Sequence, residues 1–361
     1  MKIDTEELKA AWKVVDQVDQ PAGLPSSQFV RLEAKGTALT MSLTGLCVGQ
    51  ATCPVTELTQ DWTWHVDRRV LGAFISTAKA KAVQVDVTKD ALLWRAGRQK
   101  ITAAGIDAVA GYAEWDSAKK GHQKLSLTDE TKKELALLAK YAPQTAAADH
   151  LSAVVLSKGW GALASDSFAI AAVLDKTETR SLKLPALLCQ LLAGADASEV
   201  LVDAEGAGIK YPCGYLYQPL PSNAISGYPL KKIADVVAAQ LPVKALVKVK
   251  AKALADALAT LKGYVFGSDA DAQVAVAPHK SAGFASLTLD VAQGSAQTAV
   301  AAESPGDYKL RWQLARLVPW VEHVAALDPE QVVACGEKDG CCSFSARAKT
   351  VHRLLVVAET A

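Results

Sequence analysis

The chain repeats itself three times, and any fold proposed for it must honour that period. Amphipathic helical patterns begin near Thr5 (Leu8, Trp12, Val15), near Thr128 (Leu135, Leu138) and near Lys250 (Leu254, Leu258, Leu261). The starts lie about 120 residues apart, one third of the chain. Each third carries a second helical pattern, at residues 67–80, 185–193 and 311–327, and then a stretch with strand alternation, at 83–101, 200–220 and 332–357. Val83, Val85 and Val87 show that alternation, and Lys89-Asp90, Glu205-Gly206 and Lys338-Asp339-Gly340 mark the turns. Thr5 and Thr128, each followed by acids, suit helix starts, and Pro185 suits a first helical turn. The unit reads helix, strands, helix, strands. Three copies predict an α+β fold of paired helices covering antiparallel sheets, in domains 1–122, 123–242 and 243–361, with boundaries near Gly121-His122 and Leu241-Pro242.

Composition supports a folded chain: half of the residues are hydrophobic and 21% are charged. Thirty-nine Lys and Arg against 38 Asp and Glu exclude a uniformly basic, histone-like binder, so any nucleic-acid contact needs a local basic face. The first residues hold acids at Asp4, Glu6 and Glu7, unlike a signal or transit peptide, and no apolar run reaches membrane-span length. Seven cysteines without C-x-x-C spacing fit neither a disulfide framework nor a usual zinc site. The expectation is a cytoplasmic protein without membrane contact.

Catalytic patterns are missing from the sequence. His65, His122, His150, His279, His323 and His352 are scattered, with no H-E-x-x-H, and there is no phosphate-binding G-x-x-x-x-G-K-[ST]. Cys335, Cys341, Cys342 and His352 could gather on a metal only with unusual spacing, and adjacent strand residues Cys341 and Cys342 point to opposite faces. Gly159-Trp160-Gly161 reads as a tight turn. No enzyme, cofactor or metal is expected.

The order of several short segments matches a known pattern. Leu24-Pro25 precedes a strand and then Thr37-Ala38-Leu39-Thr40-Met41-Ser42-Leu43-Thr44-Gly45; a hairpin follows at Leu92-Leu93-Trp94-Arg95-Ala96-Gly97-Arg98-Gln99-Lys100-Ile101. In the second third come Leu163-Ala164-Ser165-Asp166-Ser167-Phe168-Ala169-Ile170-Ala171 and Ser226-Gly227-Tyr228-Pro229. With the threefold period, these segments resemble the bacterial DNA polymerase III β subunit, the sliding clamp, over the full length. Ala169 stands where the family usually has Arg, and Val356-Val357-Ala358-Glu359-Thr360-Ala361 where it has a Met-Pro-Met-containing end. These departures fit a divergent clamp such as a phage or plasmid could encode.

The resemblance implies a homodimeric ring around duplex DNA that tethers a polymerase. Basic helix residues, ordinarily solvated faces, would then line the hole: Lys9, Lys13, Arg68, Arg69, Lys79, Lys132, Lys133, Lys140, Lys252, Lys262, Arg311 and Arg316. They would meet phosphates without reading bases. Helix 185–193 contributes none. The family's groove for short linear peptides of polymerase and clamp loader would fall on Leu151, Ser165, Phe168, Ile170, Pro242, Val356 and Val357, and its subunit interface on Arg98, Lys100 and Ile101 against Tyr264, Val265 and Phe266. The alternative is a clamp-derived adaptor or inhibitor that binds replication proteins without encircling DNA.

Overall fold

The computed structural model describes residues 1–21, 23–106, 109–116, 122–142, 153–157, 159–164, 168–174, 182–192, 194, 199–220, 235, 239, 243–265, 272–291, 294–304, 306–338, 341–348 and 351–358. Among the described residues each third contains the order strand, helix, four strands, helix, three strands. The first comprises β1 (Lys2–Asp4), α1 (Thr5–Val15), a single turn α2 (Pro25–Gln28), β2 (Phe29–Lys35), β3 (Ala38–Thr44), β4 (Val48–Thr56), β5 (Trp62–Asp67), α3 (Arg68–Thr77), β6 (Ala82–Val87), β7 (Ala91–Ala96) and β8 (Gln99–Ala104). The second has β9 (Gln123–Leu125), α4 (Asp129–Ala139), β10 (Ala153–Ser157), β11 (Trp160–Ala164), β12 (Phe168–Leu174), β13 (Leu182–Pro185), α5 (Ala186–Leu192), β14 (Glu199–Val202), β15 (Gly206–Tyr211) and β16 (Gly214–Pro219). The third has β17 (Val247–Lys250), α6 (Ala251–Lys262), β18 (Gln273–Pro278), β19 (Phe284–Val291), β20 (Gly294–Glu303), β21 (Leu310–Gln313), α7 (Leu314–Leu327), β22 (Val332–Lys338), β23 (Cys341–Arg347) and β24 (Val351–Ala358).

The helices form where the expected periodicity meets a cap. In α1, Leu8, Ala11, Trp12 and Val15 are buried on one stripe, while Asp4, one residue ahead of the expected start, accepts from the main-chain N–H groups of Glu6 and Glu7. Thr128 caps α4 as the sequence predicts, accepting from the Thr131 N–H at 3.1 Å. Pro185 is not in the first turn of α5 but ends β13. Residues 67–80 shorten to α3, with Asp67 as its cap, and residues 311–327 shorten to α7, because Leu310 to Gln313 pair with β18 instead.

The chain gathers into two compact units: Met1–Leu127 with Leu191–Leu220, and Thr128–Gln190 with Pro221–Ala361. Among the described residues each unit holds one 12-stranded sheet, and all strand pairs are antiparallel. The repeat is visible in the ladders. β1 lies between β6 and β4, and β17 lies likewise between β22 and β20.

Neighbouring thirds join strand to strand. In the first unit β4 of the first third pairs with β16 of the second, Ala51 facing Gly214 and Val48 facing Tyr217. In the second unit β12 of the second third pairs with β24 of the third, Ala172 facing Arg353 and Ala169 facing Val356. The first seam is covered by a buried cluster of Val48, Trp115, Leu201 and Tyr215, with Tyr217 packed against it. Trp115 enters from the segment between the thirds, and its main-chain N–H donates to Tyr215 Oη at 3.0 Å. Gly208 makes room for it, since a Cβ there would stand 2.3 Å from the indole.

Candidate nucleic-acid interface and seam residues

α1 and α3 flank a cleft of about 520 Å³ lined by Lys9, Trp12, Lys13, Asp16, Gln20, Arg68 and Arg69, among others. Arg69 is 86% exposed and bonds Asp67 at 3.3 Å. Burial pushes the Asp67 carboxyl upward, but the Arg69 guanidinium and two N–H groups of α3 outweigh it and hold the group below the usual carboxylate range. Lys9 pairs with Glu6 at 3.3 Å.

Arg68 corrects the sequence expectation. It is 6% exposed, and its guanidinium donates to the Asp16 carboxylate at 3.2 Å, the Asp16 carbonyl at 2.5 Å and the Val18 carbonyl at 2.7 Å. It holds the turn that follows α1 by donating to the main-chain carbonyls of Asp16 and Val18. A side chain so engaged cannot reach a phosphate.

Other basic positions are on the surface with different supports. Lys133 on α4 and Lys140 just past its end are exposed, and Lys132 pairs with Asp129 at 3.1 Å. On α6, Lys262 is exposed and Lys252 pairs with Asp256. Lys79 lies beyond the end of α3 and Arg311 on β21, so neither is a helix residue; both are exposed. Arg316 is half-buried on α7. No basic residue lies on α5.

α6 and α7 flank the counterpart of the α1–α3 cleft, about 280 Å³ in volume and lined by Lys262, Val265, Ala272, Leu314, Ala315, Val318 and Pro319. Counting from the helix caps Asp67 and Gln313, Arg68 corresponds to Leu314 and Arg69 to Ala315. One cleft is basic and its counterpart apolar, so positive charge is uneven from one third to the next.

Of the expected partner groove, Leu151, Ser165 and Pro242 lie outside the described residues. The remaining four are brought together in backbone: Phe168 and Ile170 on β12 pair with Val357 and Leu355 of β24, and Val356 lies between. Of the expected subunit interface, Arg98 is exposed in the β7–β8 turn, Lys100 and Ile101 are on β8, Tyr264 is 53% exposed beyond α6, Val265 follows it, and Phe266 lies outside the described residues.

The sequence reading missed a charged cluster at the second seam. Glu134 of α4 is 1% exposed, and its Oε1 accepts from Arg353 Nε at 3.0 Å, Arg353 Nη2 at 2.5 Å and His323 Nε2 at 3.1 Å. Burial alone would raise the Glu134 pKa, but the His323 and Arg353 bonds and the guanidinium charge hold it below the ordinary range. The available signals were a glutamate beside Leu135 on the apolar stripe and an arginine before Leu354-Leu355. Among the described residues no three His, Cys, Asp or Glu side chains gather as a metal site, and no helix is long and apolar enough to cross a membrane.

No model of a protein family matches the sequence, and no curated protein is recognisably similar to it. Solved structures do match. The DNA polymerase III subunit β of Pseudomonas aeruginosa superposes with a TM-score of 0.77 at 15% identity, covering 100% of this chain and 99% of that one. The sliding clamp of Bacillus subtilis gives 0.75 at 13% identity, and the β subunit of Thermotoga maritima 0.76 at 13%, each covering 100% of this chain and 99% of its own. The chain therefore has the DNA-clamp fold, α+β with repeated helix pairs on antiparallel sheets. The likeness to these bacterial clamp structures runs over the full length of the chain, at low sequence identity.

Proposed function

We propose that this protein is a non-enzymatic sliding clamp of three clamp domains, 1–122, 123–242 and 243–361, two copies of which close head to tail around duplex DNA and tether a polymerase. The observation that carries the reading is the pair of seams together with β8 and β20, the equivalents of the seam strands, which among the described residues pair with no strand of another third. Among the described residues β8 ends its sheet, and β20 pairs with β17 only at Ala302 and Glu303, leaving its earlier residues open on that side. β8 is the counterpart of β16 and β24, and β20 of β4 and β12. Following the ladders outward from the helix caps makes Gln99 equivalent to Gly214 and Arg353, and Thr298 equivalent to Ala51 and Ala172. A third seam in the same register sets Gln99 opposite Thr298, Lys100 opposite Gln297 and Ile101 opposite Ala296. Such pairing also protects edges that otherwise invite aggregation.

In such a ring Lys9, Lys13, Arg69, Lys79, Lys132, Lys133, Lys140, Lys252, Lys262, Arg311 and Arg316 supply weak, sequence-blind phosphate contacts. A closed ring then raises the local concentration of its tethered partner without stopping movement. Phe168, Ile170, Val356 and Val357, at the β12–β24 seam, take the apolar anchors of polymerase and loader peptides.

The test is topological. Chains carrying Ile101→Cys and Ala296→Cys, with Cys213 and Cys341 replaced by Ser, are oxidised in the presence of circular duplex DNA. Covalent dimers should remain on the circle through high salt and leave when the DNA is cut. Failure to cross-link refutes the register, and cross-linked dimers that never stay on circular DNA favour the adaptor reading.

A further inference from the structure

The two internal seams share one plan but differ at one place beneath the first helix of each third. Glu134 stands six residues after the α4 cap Thr128; Ala10 stands six after Asp4, and Asp256 six after Lys250. On the strand that arrives from the next third, the residues equivalent to Arg353 are Gly214 and Gln99. The first seam thus sets Ala10 and Gly214 where the second sets Glu134 and Arg353.

The consequences are visible in the packing. The first seam carries a cavity of about 560 Å³, lined by Glu7, Ala10, Lys13, Gly194, Tyr211 and Cys213 among others, whereas Glu134, Arg353 and His323 meet side chain to side chain at the second. Gly214 itself has no room for a side chain, since a Cβ would stand 2.1 Å from the Gln50 carbonyl oxygen. Asp256 is exposed and bonded to Lys252, and Gln99 donates to Thr77 at 2.6 Å, so neither is a buried charge.

We propose that Glu134 and Arg353 are the specificity-determining pair that admits only β24 to the edge of β12. All three arriving strands, β8, β16 and β24, offer similar backbone edges, and main-chain hydrogen bonds alone do not tell them apart. β16 or β8 placed on β12 would leave Glu134 buried opposite Gly214 or Gln99, without its guanidinium. β24 placed on β4 would drive Arg353 into the space that only Gly214 fits. Burying one member of an ion pair alone is strongly unfavourable, whereas replacing both by apolar groups is close to neutral. The pair therefore contributes little net stability and a large penalty against the wrong strand, which is how repeated edges are kept from exchanging between copies. The comparison with β8 rests on the ring reading above; the comparison of β16 with β24 does not.

The test is refolding of the full chain from denaturant over a range of concentrations, read by size-exclusion chromatography with light scattering and by thermal melting. Arg353→Met alone should lower the melting temperature sharply. Glu134→Leu with Arg353→Met should recover most of that loss, while the fraction of species larger than those of the parent rises several-fold with concentration. A double variant with the size distribution of the parent overturns the proposal, as does an Arg353→Met chain as stable as the parent. If the double variant does not fold, Glu134→Gln, which keeps the acceptor oxygen and removes the charge, carries the test: several-fold more large species is expected, and an unchanged profile overturns it. None of these measurements involves DNA, so failure here leaves the topological test of the ring standing.

Discussion

The indole of Trp115 lies on the phenol ring of Tyr217, centroids 4.8 Å apart and planes 16° from parallel, with Tyr215 edge-on at 5.3 Å. Trp115 belongs to the segment between the first and second thirds, and the tyrosines to β16, so the connection between thirds clasps the strand that makes their seam. Trp115→Ala removes the largest side chain of this cluster and should cost about 3–5 kcal/mol. Hydrogen exchange should show β16 and β4 losing protection ahead of the second unit; uniform loss over both units would refute the clasp.

Arg68 and Arg69 are neighbours in sequence with opposite expected behaviour. Arg68→Ala should destabilise the fold by about 1.5–3 kcal/mol, because buried carbonyls lose a charged donor. Lys9→Glu, Lys13→Glu and Arg69→Glu together should leave the melting temperature nearly unchanged. The same triple change should weaken duplex binding and flatten its salt dependence by roughly 1 unit of log–log slope for each phosphate the protein no longer neutralises. Fluorescence anisotropy across a salt series decides it, and an unchanged slope would remove the α1–α3 cleft from the DNA-facing set.

Glu134 sets a pH dependence with a definite sign. Its carboxyl is held below the usual range in the folded chain, so the stability it contributes is complete above the ordinary glutamate pKa of 4.5 and is lost as pH falls through the lower folded value. Melting temperatures of the parent and Glu134→Gln should differ most near neutrality and converge as pH falls below the ordinary carboxylate range. A gap that widened on acidification would contradict the assignment.

The seven cysteines divide by burial. Cys47, Cys53, Cys189, Cys335 and Cys342 are buried, whereas Cys213 and Cys341 are half-buried. Burial pushes the Cys47 and Cys53 thiols up to about 12, leaving almost no thiolate at neutral pH. A thiol-exchange reagent should therefore titrate two groups quickly in the native protein and the other five only on unfolding. Rapid reaction of more than two would show that the β3–β4 hairpin, α5, β22 or β23 opens readily.

Much of the architecture was legible in the chain. The stripe Leu8, Trp12, Val15, the Thr128 cap and the alternation around Val83 and Val85 are properties of a few consecutive residues, and the structure forms α1, α4 and β6 from them. Their recurrence in each third was enough to predict the repeat, because a periodic apolar pattern needs only one partner surface to become a helix or strand. The sequence alone could not separate Arg68 from Arg69, or Glu134 from the exposed acids of its helix. Arg68 is buried because the turn after α1, some fifty residues earlier, needs donors, and Glu134 because Arg353, 219 residues later, arrives to pair with it. Charge on a helix reads as solvent-facing until a distant partner offsets its desolvation, and which strands bring such partners is decided by seams between thirds whose edges look alike in sequence. Local periodicity determined the elements, and only tertiary structure decided which charges those elements could bury.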